Sequence, residues 1–121
     1  MARPLARSFQ YAYEGICHTF KTQRSFRIQL AIGLAAVGLG LWVGLTPAEW
    51  AILTVIISLV LSAEMVNTAI EALADATCPD HNPLIGIAKD VAAGAVLITA
   101  LGSVVVGLFL FGPYILELLL Q

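Results

Sequence analysis

Long apolar stretches dominate this sequence, and each is bounded by a short polar segment. No charged side chain occurs from Ile28 to Leu45 or from Trp50 to Ala63. A third stretch, from Leu84 to Phe111, is charged only at Lys89 and Asp90. A helix of about 20 residues crosses the hydrocarbon core of a bilayer. We therefore predict three membrane-spanning helices, over residues 26–45, 47–76 and 83–112.

Local signals at the helix ends support these spans. The segment Thr46–Glu49 places a threonine cap, a first-turn proline and a glutamate in the order of a capping box, which predicts the start of the second span. Asn82-Pro83 repeats the cap and the proline before the third span. Gly112-Pro113 predicts the end of that span, so that residues 114–121 form a short apolar tail.

Residues 4–22 have a different pattern, with apolar and polar side chains on opposite faces of a helix. The apolar face carries Leu5, Phe9, Tyr13, Ile16 and Phe20. The polar face carries Arg7, Gln10, Glu14, His18 and Lys21. A helix of this kind lies in the membrane interface. The polar side chains also interrupt any signal-peptide core, so we expect the segment to be retained.

Composition and charge fit a protein embedded in a bilayer. The 121 residues are 60% hydrophobic and 12% charged, with a mean hydropathy of +0.92, and we treat residues 1–121 as one membrane domain. With three spans, every lysine and arginine falls on one side of the membrane. They are Arg3, Arg7, Lys21, Arg24, Arg27 and Lys89. Because cytoplasmic segments are enriched in these residues, we expect a cytoplasmic N-terminus and an external C-terminus.

A row of polar side chains follows the charge-free part of the second span. We call Glu64, Asn67, Glu71 and Asp75 the acidic row. At about 100° per residue, the three carboxylates of one continuous helix lie within about 40° of one another, with Asn67 on their flank. Carboxylates that share one stripe at the end of an apolar helix repel one another. The row therefore requires a cation, a proton or both.

Spacing alone leaves three interpretations of the acidic row open. Carboxylates near Lys89 suit Mg²⁺ and a polyphosphate, because the metal takes oxygen ligands and the ammonium offsets phosphate charge, which indicates phosphoryl transfer. The second interpretation is a proton-coupled transport pathway through Glu64. The third is a structural contact between helices, as in a non-catalytic anchoring subunit. Neither a Walker A loop nor a GxGxxG motif occurs, which excludes a soluble nucleotide-binding fold.

Several motifs together resemble those of one family of membrane enzymes. They are Glu64-x-x-Asn67-Thr68-Ala69-Ile70-Glu71-x-x-x-Asp75, Pro83-Leu84, Ala88-Lys89-Asp90-x-Ala92-Ala93-Gly94-Ala95-Val96-Leu97, Thr22-Gln23-Arg24-Ser25-Phe26-Arg27 and Phe9-x-Tyr11-Ala12-x-x-Gly15. Across nearly the whole chain, the sequence is similar to the small bacterial integral-membrane lipid kinases, the diacylglycerol kinase and undecaprenol kinase family. The resemblance implies a homotrimer in the bacterial inner membrane, each subunit with an interfacial helix and three spans. It also implies transfer of the γ-phosphoryl group of Mg-ATP to a lipid hydroxyl near the cytoplasmic interface.

The resemblance further implies roles for individual residues. Glu64 matches the catalytic carboxylate that accepts the proton of the acceptor hydroxyl, with Asn67 one turn along. Glu71 and Gln23 match the metal positions. The expected nucleotide-binding residues are Tyr11, Gln23, Glu71, Asp80, His81, Asn82, Lys89 and Asp90. The expected lipid-binding residues are Arg24, Ser25, Phe26, Arg27, Gln29 and Ala93.

Two departures from the family pattern concern the metal and the acceptor. Gln23 stands where many members carry a glutamate, and an amide ligates Mg²⁺ without contributing charge, so we expect weaker metal binding or help from Asp75. Gln29 stands where undecaprenol kinases often carry histidine. Residues 23–28 and 81–84 still favour undecaprenol as the acceptor, with diacylglycerol as the alternative and a proton-coupled transporter as the rival from another class. No nucleic-acid partner is expected.

Overall fold

The computed structural model describes residues 4–121, so the predicted placement of Arg3 lies outside the described residues. The described chain forms four helices. These are α1 Leu5–Thr22, α2 Arg24–Val43, α3 Pro47–Thr77 and α4 Pro83–Leu120. Helices α2, α3 and α4 are each long and apolar enough to cross a membrane. The predicted all-α fold, with one N-terminal helix followed by three spans, is confirmed.

The starts of α3 and α4 are built as the sequence predicts. Both halves of the capping box form, because the Glu49 N–H donates to Thr46 Oγ1 at 3.2 Å and the Thr46 N–H donates to Glu49 Oε1 at 2.9 Å. At α4, the Asn82 side chain accepts a hydrogen bond from the Leu84 N–H at 2.9 Å. These bonds satisfy donors that the first turn of a helix otherwise leaves unpaired.

The end of α4 differs from the prediction. The sequence predicts a stop at Gly112-Pro113, but α4 continues through Pro113 to Leu120, so the expectation of a separate tail is wrong. Proline removes one backbone donor, yet in apolar surroundings a helix still leaves the fewest backbone groups unpaired. The Tyr114 hydroxyl also donates to Glu49 Oε1. This bond holds the additional turns of α4 against the start of α3.

The connection between α2 and α3 depends on one glycine. Gly44 has a φ of +78°, a left-handed conformation that glycine adopts at little cost. It ends α2 at Val43, two residues before the predicted end of the first span at Leu45. The connection covers only residues 44–46, so α2 and α3 are antiparallel neighbours, as the sequence predicts.

Helix α3 is the element on which the others pack. α4 makes the most extensive contact with it, α2 makes a smaller one, and α1 touches both α2 and α3. The buried core lies at the end of α3 that adjoins the α2–α3 turn. It consists of Leu45, Leu53, Leu110 and Phe111. Glu64 lies about 16 Å farther along α3 than Leu53 at 1.5 Å per residue, so this core is remote from the acidic row.

The outside of the helices carries large apolar side chains. Trp42 is 71% exposed and Phe109 is 80% exposed. A soluble monomer rarely leaves so much apolar surface in contact with water. A bilayer, or further copies of the chain within it, covers such a surface without cost.

Candidate functional site

Glu64 is the buried member of the acidic row, with an exposed fraction of 4%. Its Oε2 accepts a hydrogen bond at 2.9 Å from the hydroxyl of Ser25, in the first turn of α2. Its Oε1 has no hydrogen-bond partner in the described part of the chain and is not fully enclosed. A carboxylate that is held at one oxygen and lacks a partner at the other is suited to take a proton from an approaching hydroxyl.

Asn67 and Glu71 form a second pair one turn farther along α3. The Asn67 amide nitrogen donates to Glu71 Oε1 at 3.3 Å, which fixes the orientation of the amide. Asn67 Oδ1 is buried and has no hydrogen-bond partner among residues 4–121. A buried oxygen without a partner is unfavourable unless a ligand satisfies it. The amide oxygen and the neighbouring carboxylate are the kind of oxygen ligands that hard cations prefer.

An ion pair joins α3 to α4 at the same end of the molecule. Lys89 Nζ lies 2.9 Å from Asp75 Oδ1, and the two side chains are 38% and 71% exposed. An exposed pair contributes little to stability because solvent screens it. Its effect is to hold the ammonium beside the row, where the charge of Glu71 also acts on it. An ammonium has three donors, so two remain for a phosphate.

The junction between α1 and α2 is held by Arg27. Its Nη1 donates to the carbonyl oxygen of Phe20 at 2.7 Å and to that of Lys21 at 3.2 Å. Both carbonyls belong to the last turn of α1, where backbone acceptors lack helical partners and the helix dipole favours a cation. In this structure the guanidinium therefore fixes α1 relative to α2. The contact of Arg27 with lipid stays a prediction.

The predicted nucleotide loop lies between α3 and α4. Asp80, His81 and Asn82 are exposed there, and Asn82 is also the cap of α4. The ion pair between Asp75 and Lys89 joins the two helices on either side of this loop. The loop is therefore short and anchored at its base, with its side chains accessible from solvent.

Other predicted site residues lie on α1, at the α1–α2 junction and on α4. Within residues 4–121, no hydrogen bond or ion pair joins Gln23, Arg24 or Asp90 to the row. Phe26 is 3% exposed, Tyr11 is 45% exposed, and Ala93 lies at the surface of α4. The same range holds no group of three His, Cys, Asp or Glu side chains that could bind a metal. The metal role of Gln23 thus stays a prediction.

An apolar groove of about 270 Å³ begins near the Ser25–Glu64 pair. Gln29 and Val60 line the groove, and they lie one helical turn from Ser25 and Glu64 respectively. It runs between α2, α3 and α4 as far as Phe111. Apart from Gln29 and Ser103, every lining residue is apolar or glycine. The groove therefore has an apolar lining that suits a hydrocarbon chain, and its Gln29–Val60 end lies one helical turn from Ser25 and Glu64.

A comparison with known families decides what this site belongs to. The sequence model described as prokaryotic diacylglycerol kinase matches residues 10–111. The chain belongs to the prokaryotic diacylglycerol kinase family. The match includes the whole acidic row, the α1–α2 junction and the ion pair to α4.

Three members of this family illustrate the similarity. The undecaprenol kinase of Bacillus subtilis is 40% identical over 107 residues, covering 88% of this chain and 87% of the relative. A diacylglycerol kinase of Synechocystis is 40% identical over 113 residues, covering 93% of this chain and 65% of the relative. The diacylglycerol kinase of Escherichia coli is 30% identical over 95 residues, 78% of each chain. Two relatives named for different acceptors are thus each 40% identical to this chain.

Membership in the prokaryotic diacylglycerol kinase family confirms the predicted resemblance and activity class. The protein is a bacterial membrane lipid kinase and, as a kinase, uses ATP. The alternative of a proton-coupled transporter has no support from the comparisons. The acidic row accordingly belongs to an enzyme of phosphoryl transfer.

The contact between Ser25 and Glu64 is the feature of this kinase that the sequence does not predict. The two residues are 39 positions apart, so no local spacing reveals it. The short turn between the antiparallel helices α2 and α3 nevertheless indicates that the two residues are close. Ser25 lies about as far before Leu45 as Glu64 lies after it, and residues equidistant from a tight turn become neighbours across two antiparallel helices.

Proposed function

We propose that this kinase transfers the γ-phosphoryl group of ATP to the hydroxyl of undecaprenol, with Glu64 as the proton acceptor. The observation that supports this best is the state of the Glu64 carboxylate. It already accepts a hydrogen bond from one hydroxyl at 2.9 Å, and its second oxygen has no hydrogen-bond partner within residues 4–121. An alcohol that binds at the second oxygen is within reach of proton transfer.

The proposed reaction needs few protein groups. The acceptor oxygen attacks the γ-phosphorus, the bond from that phosphorus to the β–γ bridging oxygen breaks, and ADP leaves. The acceptor proton passes to Glu64. Because negative charge spreads over the γ-phosphoryl oxygens, the protein contributes mainly positioning and electrostatic stabilisation. Lys89, which Asp75 holds beside the row, offers its two remaining donors to the phosphate oxygens.

The residues on α3 fit a Mg²⁺ ion. Asn67 Oδ1 is buried beside Glu71 and accepts no hydrogen bond from residues 4–121. Mg²⁺ in kinases is bound through a few protein oxygens together with the substrate phosphates. When bound, Mg²⁺ neutralises charge on the phosphate groups. Glu71 and Asn67 would hold it, with Gln23 as a further ligand from the α1–α2 junction.

The groove supports undecaprenol over diacylglycerol. Undecaprenol is a hydrocarbon chain that ends in one hydroxyl. Diacylglycerol places two ester groups next to its hydroxyl, and ester oxygens lose hydrogen bonds to water when an apolar site covers them. Only Gln29 and Ser103 among the lining residues carry polar side chains. The relatives do not separate the two acceptors, so the argument rests on this lining.

We further infer a homotrimer in the bacterial inner membrane, with the N-terminus in the cytoplasm. Four basic residues lie at the acidic-row end, which supports this orientation. They are Lys21, Arg24, Arg27 and Lys89. Helix α3 also exposes small side chains at Ala51, Ser58 and Ala69. Small residues permit the close approach of helices from other subunits.

The acceptor is tested by direct competition between lipids. The purified full chain is placed in lipid nanodiscs with γ-labelled ATP, Mg²⁺ and equal mole fractions of undecaprenol or diacylglycerol. We expect labelled undecaprenyl phosphate, with a kcat/KM for undecaprenol at least about tenfold above that for diacylglycerol, because the groove leaves the ester oxygens unpaired. Discs without either lipid serve as the control for ATP hydrolysis.

Each result has a distinct meaning. A preference for diacylglycerol would contradict the proposed acceptor but leave the kinase activity standing. No labelled product from either lipid, with a folded protein in the discs, would contradict the proposed reaction itself.

A further inference from the structure

The hydroxyl of Ser25 has one hydrogen bond in the described structure, the bond to Glu64 Oε2 at 2.9 Å. Ser25 does not cap α2, because Gln23 is the cap residue and no side-chain cap bond is present there. Thr68 also donates to Glu64, but its hydroxyl reaches the backbone carbonyl oxygen and not the carboxylate. Ser25 is therefore the residue whose side chain orients the Glu64 carboxylate.

The orientation matters because the two carboxylate oxygens are not equivalent. Oε2 is occupied by Ser25, whereas Oε1 has no partner among the described residues and is not fully enclosed. A glutamate side chain has three rotatable bonds, and without a fixed partner its carboxylate samples several rotamers. The hydroxyl of Ser25 on α2 restricts the Glu64 carboxylate to one rotamer. Because this donor is neutral, it leaves the negative charge on Glu64.

We propose that Ser25 is a positioning residue that fixes the Glu64 carboxylate so that Oε1 is the oxygen presented to the lipid hydroxyl. The inference rests on the proposed function and deepens it, since it assigns the two oxygens different tasks. A carboxylate accepts several hydrogen bonds at once, so Ser25 stays bound while the lipid hydroxyl approaches. Ser25, which the family resemblance places only in the lipid site, thus acts on the substrate through Glu64.

The test compares Ser25→Ala with Ser25→Thr in the nanodisc assay with undecaprenol. Misplacement of a reacting group by about 1 Å can lower a rate about 10²-fold. We expect Ser25→Ala to lower kcat at least about tenfold, with the KM for ATP and the KM for undecaprenol each changed less than about twofold. Ser25→Thr keeps the hydroxyl, and we expect it to restore most of the lost kcat.

Matched controls separate positioning from a general structural effect. Thr54 is exposed on α3, away from the groove lining, and Thr54→Val, which also removes a hydroxyl, should retain the kcat of the parent protein. Thermal unfolding in detergent shows whether each variant is folded. If Ser25→Ala is unstable, Ser25→Cys keeps the size of the side chain but replaces the hydroxyl by a weak thiol donor. We expect a similar loss of kcat for this variant, and a folded Ser25→Cys variant with the parent kcat would overturn the positioning role.

The outcomes also distinguish this inference from the proposed function. A folded Ser25→Ala variant with the parent kcat would overturn the positioning role, as would a loss confined to the KM for undecaprenol. A folded Ser25→Thr variant as slow as Ser25→Ala would overturn it too. In each case the parent protein still phosphorylates undecaprenol. A parent protein that produces no phosphorylated lipid would instead contradict the proposed function.

Discussion

Glu64 and Glu71 lie on the same helix two turns apart, but their surroundings differ. Glu64 is 4% exposed and accepts from a serine hydroxyl, whereas Glu71 is half-buried and accepts from the Asn67 amide. Both donors are neutral, so neither carboxylate has its charge compensated by them. The lysine closest to the row pairs with Asp75. At the scale of residues, the row is therefore organised to receive cationic or proton-donating ligands.

The proposed role of Glu71 as a metal ligand leads to a prediction about how the rate of lipid phosphorylation depends on the Mg²⁺ concentration. Glu71→Gln removes the charge but keeps the shape of the side chain. We expect the Mg²⁺ concentration for half-maximal activity to rise at least about tenfold, with partial recovery of the rate at high Mg²⁺. The measurement is initial rate of lipid phosphorylation against free Mg²⁺ at saturating ATP.

A distant glutamate provides the comparison for this variant. Glu117 is exposed near the other end of the molecule, and Glu117→Gln should follow the parent Mg²⁺ curve. Superimposable curves for Glu71→Gln and the parent protein would show that Glu71 does not bind the metal.

At the scale of elements, the closest packing occurs where α2 approaches its turn into α3. A methyl group at Gly40 would lie 2.8 Å from Leu45 Cδ1 and 2.9 Å from Trp50 Cη2. Both neighbours belong to the region around the buried core. Helix α2 therefore needs a residue without a side chain at this point to reach α3.

Gly40→Ala should consequently destabilise the fold by about 1–3 kcal/mol, the usual cost of overpacking. Thermal unfolding in detergent measures the effect. Gly38 is the matched control, because a methyl group there would meet nothing within 4 Å. Alanine is the better helix former, so Gly38→Ala should leave stability unchanged or raise it by up to about 1 kcal/mol. Equal midpoints for the two variants would contradict the packing argument.

The ends of α3 and α4 show which features of the structure are determined by neighbouring residues in the sequence. The cap at Thr46 and the cap at Asn82 form the predicted bonds, because capping depends on residues within one turn. The stop predicted at Pro113 fails, because the apolar surroundings and the bond from Tyr114 to Glu49 favour continuation of α4. The bond from Tyr114 to Glu49 joins residues 65 positions apart. A pattern of neighbouring residues in the sequence cannot predict such a contact.

The same distinction applies to the functional site. The pair Asn67 and Glu71 follows from helical spacing, and the family resemblance of the sequence points to Glu64 and Lys89. The bond from Ser25 to Glu64 and the bond from Asp75 to Lys89 depend on how helices pack. The sequence therefore indicates the proposed reacting groups but not the residues that hold two of them in place.

At the scale of the whole molecule, the fold places an apolar core at one end of the helices and a cluster of polar side chains at the other. The core at Leu45, Leu53, Leu110 and Phe111 packs one end of the helices. The other end carries the acidic row, the ion pair to α4 and the exposed loop with Asp80 and His81. The apolar groove runs from Leu53 and Phe111 in the core to Gln29 and Val60, one helical turn from Ser25 and Glu64. A lipid can thus lie in the groove from the bilayer while the nucleotide arrives from water at the polar end.

The central claim is that Glu64 accepts the proton of the lipid hydroxyl at the point where the lipid from the bilayer meets the nucleotide from water. The most direct measurement is the rate of phosphate transfer from labelled ATP to undecaprenol by Glu64→Gln in nanodiscs, with ATP binding measured on the same sample. We predict that transfer falls about 10²–10⁴-fold, the usual contribution of a general base, while ATP binding changes little. A Glu64→Gln variant that transfers phosphate within about threefold of the parent rate would contradict the account.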